Sequence, residues 1–180
     1  MAIALRTPRL LLREWRDADY GPFAAINADI QVAGAFYGPP PRRATSDAWI
    51  DHMRRHAEEH GFAYWAVEIP GEAPLIGAVG IARVVAPGYP FAPAVEIGWR
   101  LAPQFWGKGY ATEAARAVLD DGFGRLGLRE IVAYTLPFNE RSRRVMMRLG
   151  MRRDPAEDFD HPLIPEGHPM RRHVHYRIRG

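Results

Sequence analysis

Hydrophobic positions change period several times along the chain, and each change predicts an element. Arg9-Leu-Leu-Leu-Arg-Glu-Trp15 reads as a first strand, Asp17 to Ala28 as a helix with Asp17 at its N-cap, and Thr45 to His60 as a second helix ended by Gly61. Phe62 to Ile69 and Leu75 to Val85 read as a hairpin across Gly71-Glu-Ala-Pro74, and Val95 to Leu101 adds a third strand. From about Gly107 to Arg125, the residues Ala111, Ala114, Ala115, Val118, Leu119 and Phe123 fall close to helical spacing, which predicts an amphipathic helix packed on a sheet. Leu128 to Thr135 is a further strand, Asn139 to Leu149 a capped helix ended by Gly150, and His173 to Ile178 the closing strand. Two stretches carry no period, Phe36 to Arg43 and the proline-spaced segment Asp154 to Pro169. Long loops in compact domains often carry function, and both are expected to wall a substrate.

The run from Glu96 to Glu113 passes from a buried strand through a glycine loop into a helix. That order makes a seat for a phosphate group, because loop amides and the positive end of the helix converge on one point. A Walker loop is excluded: Lys108 lies between the two glycines and Tyr110 follows, so no hydroxyl is placed for magnesium. A dinucleotide fingerprint is excluded by Thr112, which stands where the third glycine belongs. What remains is Gln104-x-x-Gly107-x-Gly109. Here the chain resembles the GNAT family of acyl-CoA-dependent N-acetyltransferases, whose pyrophosphate loop is Gln/Arg-x-x-Gly-x-Gly/Ala. The likeness continues through Asn139-Glu-Arg-Ser142, similar to the family's Asn-x-x-Ser helix, and through Leu149-Gly150, with Met151 where an aromatic is usual. Thr7-Pro-Arg-Leu-Leu-Leu-Arg13 and Trp106-Gly-Lys-Gly-Tyr-Ala-Thr-Glu113 resemble the branch that includes ribosomal-protein N-terminal acetyltransferases.

The resemblance implies one GNAT-like domain over residues 1–180, of α/β (α+β) class, with a central mixed, mostly antiparallel sheet flanked by helices. It implies acetyl-CoA as co-substrate, with Ile97, Gly98 and Trp99 offering strand backbone to the thioester. The pyrophosphate then falls to Gln104, Trp106, Gly107, Lys108, Gly109, Tyr110, Ala111 and Thr112. Asn139 and Ser142 fall beside the pantetheine arm. Many family members carry a thiolate-protonating tyrosine on that last helix. None is present here, so Ser142 is the substitute that the resembled branch implies.

The chemistry sets its own demands. An alkyl amine with a pKa near ~10.4 must lose a proton before it attacks a thioester. Glu96, at a strand end between Val95 and Ile97, is the best-placed carboxylate, and partial burial would raise its pKa to a useful value. Its bland alternative is a surface glutamate paired with arginine. His161, His168 and His173 are rivals for the base or linings of the acceptor pocket, to which Phe36, Tyr37 and Trp99 could also contribute. His52, His56 and His60 recur on one helix face, but the first and third stand two turns apart and no carboxylate motif completes a site, so no metal is expected.

With 180 residues and 47% hydrophobic content, the chain fits one domain with a substantial core. The absence of cysteine excludes a thiol nucleophile, a disulfide frame and a thiolate metal site. No stretch approaches the roughly 18 apolar residues of a membrane span, and the expected location is cytoplasmic. A net charge of +3 from scattered arginines gives no nucleic-acid footprint. Exposed strand edges admit a homodimer. The expected acceptor is a primary amine at a protein or peptide N-terminus. The alternatives are a small amine such as a polyamine, amino acid or aminoglycoside, for which Glu157, Asp158 and Asp160 could attract a cation, and a non-catalytic acyl-CoA-binding module.

Overall fold

In the computed structural model, which describes residues 4–180, the first predicted strand, Arg9 to Trp15, is shortened to three residues, and a further short strand precedes it. Leu5–Arg6 (β1) and Leu11–Arg13 (β2) pair antiparallel. The turn between them is closed by Thr7, whose hydroxyl accepts from the Leu10 amide at 2.9 Å. Asp17 does not cap the first helix. A 3-10 turn, Asp17–Asp19, intervenes before the helix Tyr20–Ala28 (α1), and it is Asp19 that accepts the Arg16 amide at 2.7 Å. Asp19 is committed there because Arg13 grips both its oxygens, whereas Asp17 pairs at the surface with Arg54. A four-residue helix, Ile30–Ala33 (α2), follows, capped by Asp29. Its brevity leaves too few turns for a period to be read.

The helix Arg43–His60 (α3) begins two residues earlier than expected and ends at Gly61 in the left-handed conformation. Strands Tyr64–Ile69 (β3) and Ala73–Val84 (β4) form the predicted hairpin, and Ala94–Leu101 (β5) follows. Then come the helix Tyr110–Gly124 (α4), the strand Glu130–Thr135 (β6) and the helix Glu140–Arg148 (α5). The chain closes through the short strands Arg152–Arg153 (β7) and Phe159–Asp160 (β8) and the long strand Arg172–Arg179 (β9). The segment from Asp154 to Pro169 therefore has more order than its prolines suggested, since it contains a 3-10 turn at Pro155–Glu157 as well as β8.

Two compact units are formed: the chain up to Ala82 with Gly98–Val118, and Arg83–Ile97 with Leu119–Gly180. Both β5 and α4 run from one unit into the other. In the first unit the strand order is β1-β2-β3-β4-β5, and its core joins Leu12, Phe23, Ile50, Ile76 and Val79, all essentially inaccessible to solvent. Trp15, Phe23 and Trp49 pack ring to ring, with centroids 4.8 Å and 5.1 Å apart along that chain. In the second unit the order is β5-β6-β9-β7, with β8 also on β9, and Ile131, Leu136, Met146 and Val174 are buried. The β5–β6 pairing is parallel, Glu96 opposite Val132, while β6–β9, β7–β9 and β8–β9 are antiparallel. Parallel neighbours need a crossover connection, and α4 supplies it. The architecture is the expected α/β one, a mixed, mostly antiparallel sheet flanked by helices.

Candidate active site

In the first unit, β5 ends at Leu101 and a 3-10 turn, Pro103–Phe105, swings the chain toward α4. The indole of Trp106 donates to the Leu101 carbonyl at 2.8 Å, which folds the loop back on the strand it left. Gly107 and Gly109 have φ of 75° and 84°, conformations that an L side chain adopts only with strain. A Cβ at Gly107 would meet nothing within 4 Å, so backbone conformation and not crowding calls for glycine there. The turn delivers Tyr110, Ala111 and Thr112 as the first residues of α4, whose leading N–H groups have no partner within the helix. Gln104, Gly107 and Lys108 are exposed beside them. Such a loop fits a phosphate-bearing ligand by the same conformation that requires its glycines.

The sequence did not show what anchors this loop. Arg9 donates from Nη1 to the Lys108 carbonyl at 3.0 Å and from Nε to Glu113 at 2.6 Å, and its guanidinium lies 4.5 Å from the Tyr110 ring centre. Glu113 also accepts from the Thr7 hydroxyl at 2.6 Å and the Arg9 amide at 3.0 Å. Burial would raise its pKa, but these donors outweigh burial and hold the carboxyl below its usual range. Thr7, Arg9 and Glu113 all lie in the two stretches that resemble one branch of the family, and that recurrence was the available signal.

Along β5, Ile97 is buried and Gly98, Trp99 and Arg100 are half-buried. A Cβ on Gly98 would collide with the hydroxyl of Tyr64, so the glycine admits a crossing side chain. Arg100 was not singled out by sequence. Its Nη1 donates to Asn27 Oδ1 at 2.7 Å, and its guanidinium covers the Phe36 ring at 4.1 Å. Phe36 and Tyr37 are each 45% exposed.

In the second unit, Glu96 is half-buried on β5. Its negative charge, together with burial as the larger effect, pushes the Tyr89 phenol up in pKa against a hydrogen bond to Tyr134. Tyr89 comes from the loop between β4 and β5, which sequence periodicity did not mark, and its hydroxyl meets His161 Nε2 at 3.0 Å. His161 also accepts the Leu163 amide on Nδ1, and its ring centre lies 4.9 Å from that of His173. Burial, then the neighbouring His173, lowers the His161 pKa to about 4, so at neutral pH it is an uncharged and weakly basic group. His168 serves its own turn, accepting the Met170 amide on Nδ1 at 3.1 Å. Asn139 caps α5: Oδ1 accepts the Ser142 amide at 3.2 Å and Nδ2 donates to Thr135 at 3.1 Å. Ser142 is half-buried in the first turn.

The carboxylates near Pro155 are committed elsewhere. Glu157 accepts from Arg177, Asp158 pairs with Arg153, and Asp160 stands 3.3 Å from Arg172. A concavity of about 630 Å³ at this edge, lined by Arg152, Arg153, Asp154, Glu157, Arg177 and Arg179, includes Glu157 but none of the residues expected to hold acetyl-CoA or to act in catalysis. Of the α3 histidines, His56 is buried and its Nδ1–H donates to the Phe62 carbonyl at 2.7 Å.

The sequence profile of the acetyltransferase (GNAT) domain matches residues 9–152. The chain is 43% identical over 174 residues to the uncharacterized N-acetyltransferase YnaD of Bacillus subtilis (strain 168), across 97% of this chain and 95% of that one. A GNAT-family acetyltransferase structure from Bacillus anthracis superposes with a TM-score of 0.80 at 27% identity, covering 98% of both chains. Mycobacterium smegmatis RimJ, solved in complex with CoA-disulfide, shares the fold with a TM-score of 0.75 at 23% identity, over 99% of this chain and 87% of that one. The strand, left-handed glycine loop and helix N-terminus thus recur in a chain matched over most of its length, which belongs to the GNAT family of acetyl-CoA-dependent N-acetyltransferases.

Proposed function

We propose that the chain, acting as one domain, transfers the acetyl group of acetyl-CoA to the primary amine of a protein or peptide N-terminus, by direct attack within a ternary complex. The observation that carries the reading is the pair of positive-φ glycines, Gly107 and Gly109, set immediately before the N-terminus of α4. Gln104 through Thr112 hold the pyrophosphate through backbone N–H groups, and Arg9 keeps the loop in shape through the Lys108 carbonyl. Ile97, Gly98 and Trp99 present strand backbone to the thioester carbonyl, where N–H donors stabilise the developing oxyanion. Glu96 takes a proton from the amine, directly or through water, as the N–C bond forms and the C–S bond breaks. Ser142 returns a proton to the leaving thiolate, whose pKa near ~8.5 makes that help useful but not obligatory. Asn139 has capping duties, and its remaining hydrogen-bonding capacity serves the pantetheine amides.

The acceptor assignment draws on the acidic stretch near Pro155. With Glu157, Asp158 and Asp160 each engaged by arginine, the carboxylates that would attract a polyamine or aminoglycoside are already neutralised. His161, with its pKa near 4, is a poor rival to Glu96 as base. The test is thiol release from acetyl-CoA against N-terminal peptides, polyamines, amino acids and aminoglycosides, with mass spectrometry of each product. Acetylated peptide termini are the expected product. Acetylation confined to polyamines or aminoglycosides would overturn the acceptor assignment and leave the reaction standing.

A further inference from the structure

Arg13 and Arg100 are both arginines drawn into the first unit, and they are treated in opposite ways. Arg13 is 5% exposed, yet each nitrogen of its guanidinium is engaged: Nε by Glu68 at 2.7 Å, Nη1 and Nη2 by Asp19 at 2.7 Å and 2.9 Å, and Nη2 also by the Pro74 carbonyl at 2.6 Å. Arg100 makes one hydrogen bond, from Nη1 to Asn27 Oδ1 at 2.7 Å. Among the described residues no carboxylate pairs with it. The Asn27 amide is 2% exposed and is held in place by Ser46, to which its Nδ2 donates at 2.8 Å. An uncharged acceptor has thus been built to aim the guanidinium without neutralising it.

Two aromatic rings lie against it as well. The Phe36 ring centre lies 4.1 Å and the Trp49 ring centre 5.9 Å from the guanidinium carbon. Cation–π contacts of this kind recover only part of what a cation loses on leaving water. Burial accordingly pushes the Arg100 pKa down to about 10, which leaves it charged at neutral pH. The fold therefore maintains a costly, positioned cation whose planar fork of five donors has spent one. Arg100 stands on β5 two residues beyond Gly98, on the same face of the strand. That is the face the Tyr64 hydroxyl crosses, within the strand assigned above to the thioester.

We propose that Arg100, aimed by Asn27 and flanked by Phe36, is a specificity site for a carboxylate carried by the amine acceptor. The inference rests on the acetyl-transfer reading and narrows it to amines that also bear a side-chain carboxylate: free aspartate or glutamate, or a peptide with an acidic residue close to its N-terminus. Bidentate pairing with a guanidinium is the geometry that distinguishes a carboxylate from its amide.

The experiment uses the full chain, acetyl-CoA and matched acceptors that differ only in that group. Free aspartate and glutamate are compared with asparagine and glutamine, and N-terminal peptides with Asp or Glu at the second or third position with their Asn or Gln counterparts. The expected result is kcat/KM about 10–100-fold higher for the acidic member of one set, the scale of a charged hydrogen bond. The set in which the ratio appears tells free amino acids from peptides. Arg100→Gln is expected to bring the ratio near one while the KM for acetyl-CoA stays within about twofold. Asn27→Asp, which hands the guanidinium an internal carboxylate, is expected to do the same without removing the cation, and it serves if Arg100→Gln fails to fold. A ratio near one in the wild type, or a ratio that survives both substitutions, would overturn the proposal. If no amine in either set is acetylated, the acetyl-transfer reading of the acceptor fails separately. The subsite is then judged by titrating the same pairs onto the CoA-bound protein: binding that depends on the carboxylate and is lost in Arg100→Gln supports it, and equal binding refutes it.

Discussion

Arg13 sits among leucines in Arg9-Leu-Leu-Leu-Arg13, where a strand reading gives it no special place, yet it is among the most deeply buried charges in the protein. Its partners Asp19, Glu68 and Pro74 come from a turn, β3 and β4, so nothing local in sequence announces the network. Replacing Arg13 with Ala would leave Asp19 and Glu68 uncompensated, and we expect a loss of about 3–5 kcal/mol in urea unfolding. The carboxylate proposed as general base is tested differently. Glu96→Gln should slow turnover by about 10²–10⁴-fold in steady-state assays while acetyl-CoA affinity is kept, because a general base acts on the amine and not on the cofactor. A weakened acetyl-CoA affinity with unchanged kcat would place Glu96 in cofactor binding and not in proton transfer. Glu96 was singled out in sequence by its place near the start of an apolar strand. Tyr89 and Arg100 were not, because a tyrosine in a proline-rich loop and an arginine on a strand acquire meaning only from what packs against them.

The loop and helix from Ala102 to Gly124 form the element in which sequence and geometry agree most closely. The two glycines and the apolar stripe of α4 belong to one local stretch, and such stretches are readable because their constraints lie a few residues apart. Gly107→Ala isolates the backbone conformation, since its Cβ would touch nothing. An L residue at that φ costs about 1–2 kcal/mol, so we expect the acetyl-CoA KM to rise roughly tenfold, with little change in kcat at saturation. Arg9→Ala removes the anchor on the Lys108 carbonyl from outside the loop and should raise the same KM by about 3–10-fold, the range of one or two hydrogen bonds. Equal KM values for wild type and both variants would show that loop shape does not govern cofactor binding. The last helix offers a further check: Asn139→Ala removes the cap of α5 and should cost about 1 kcal/mol in thermal or denaturant unfolding.

Proton linkage acts across the chain as a sum. Burial, the largest cause in each case, lowers the pKa of His56, His161, His173 and His175, and that of His161 falls to about 4. For His175 burial outweighs the Glu157 carboxylate, 3.4 Å from Nδ1. Each of these groups binds a proton more readily in the unfolded chain, where histidine titrates near ~6.5, than in the folded one. Stability is therefore full above that pH and declines as pH falls toward 4. Carboxylates held low by arginine, such as Glu113, Glu130 and Asp158, lose their contribution only at more acidic pH. We expect the thermal midpoint to drop steadily between pH 7 and pH 5, and His161→Gln to flatten part of that slope. A midpoint independent of pH over this interval would mean that the buried histidines titrate normally.

Most helices and strands, their order and the glycine loop before α4 followed from the sequence, because periodicity, caps and glycine conformation are set by neighbours within a few residues. The branch motifs likewise carried Thr7, Arg9 and Glu113 in view, though not their mutual contact. The folded chain settled which polar groups inside it are neutralised and which are left expectant. Among the described residues, Arg13 meets two carboxylates, the acids from Glu157 to Asp160 meet arginines, His161 meets Tyr89, and Arg100 meets an amide and aromatic rings without a carboxylate. Those outcomes depend on residues tens of positions apart being brought within about 3 Å, a distance over which charge pairing and desolvation are decided. No local pattern encodes such a meeting.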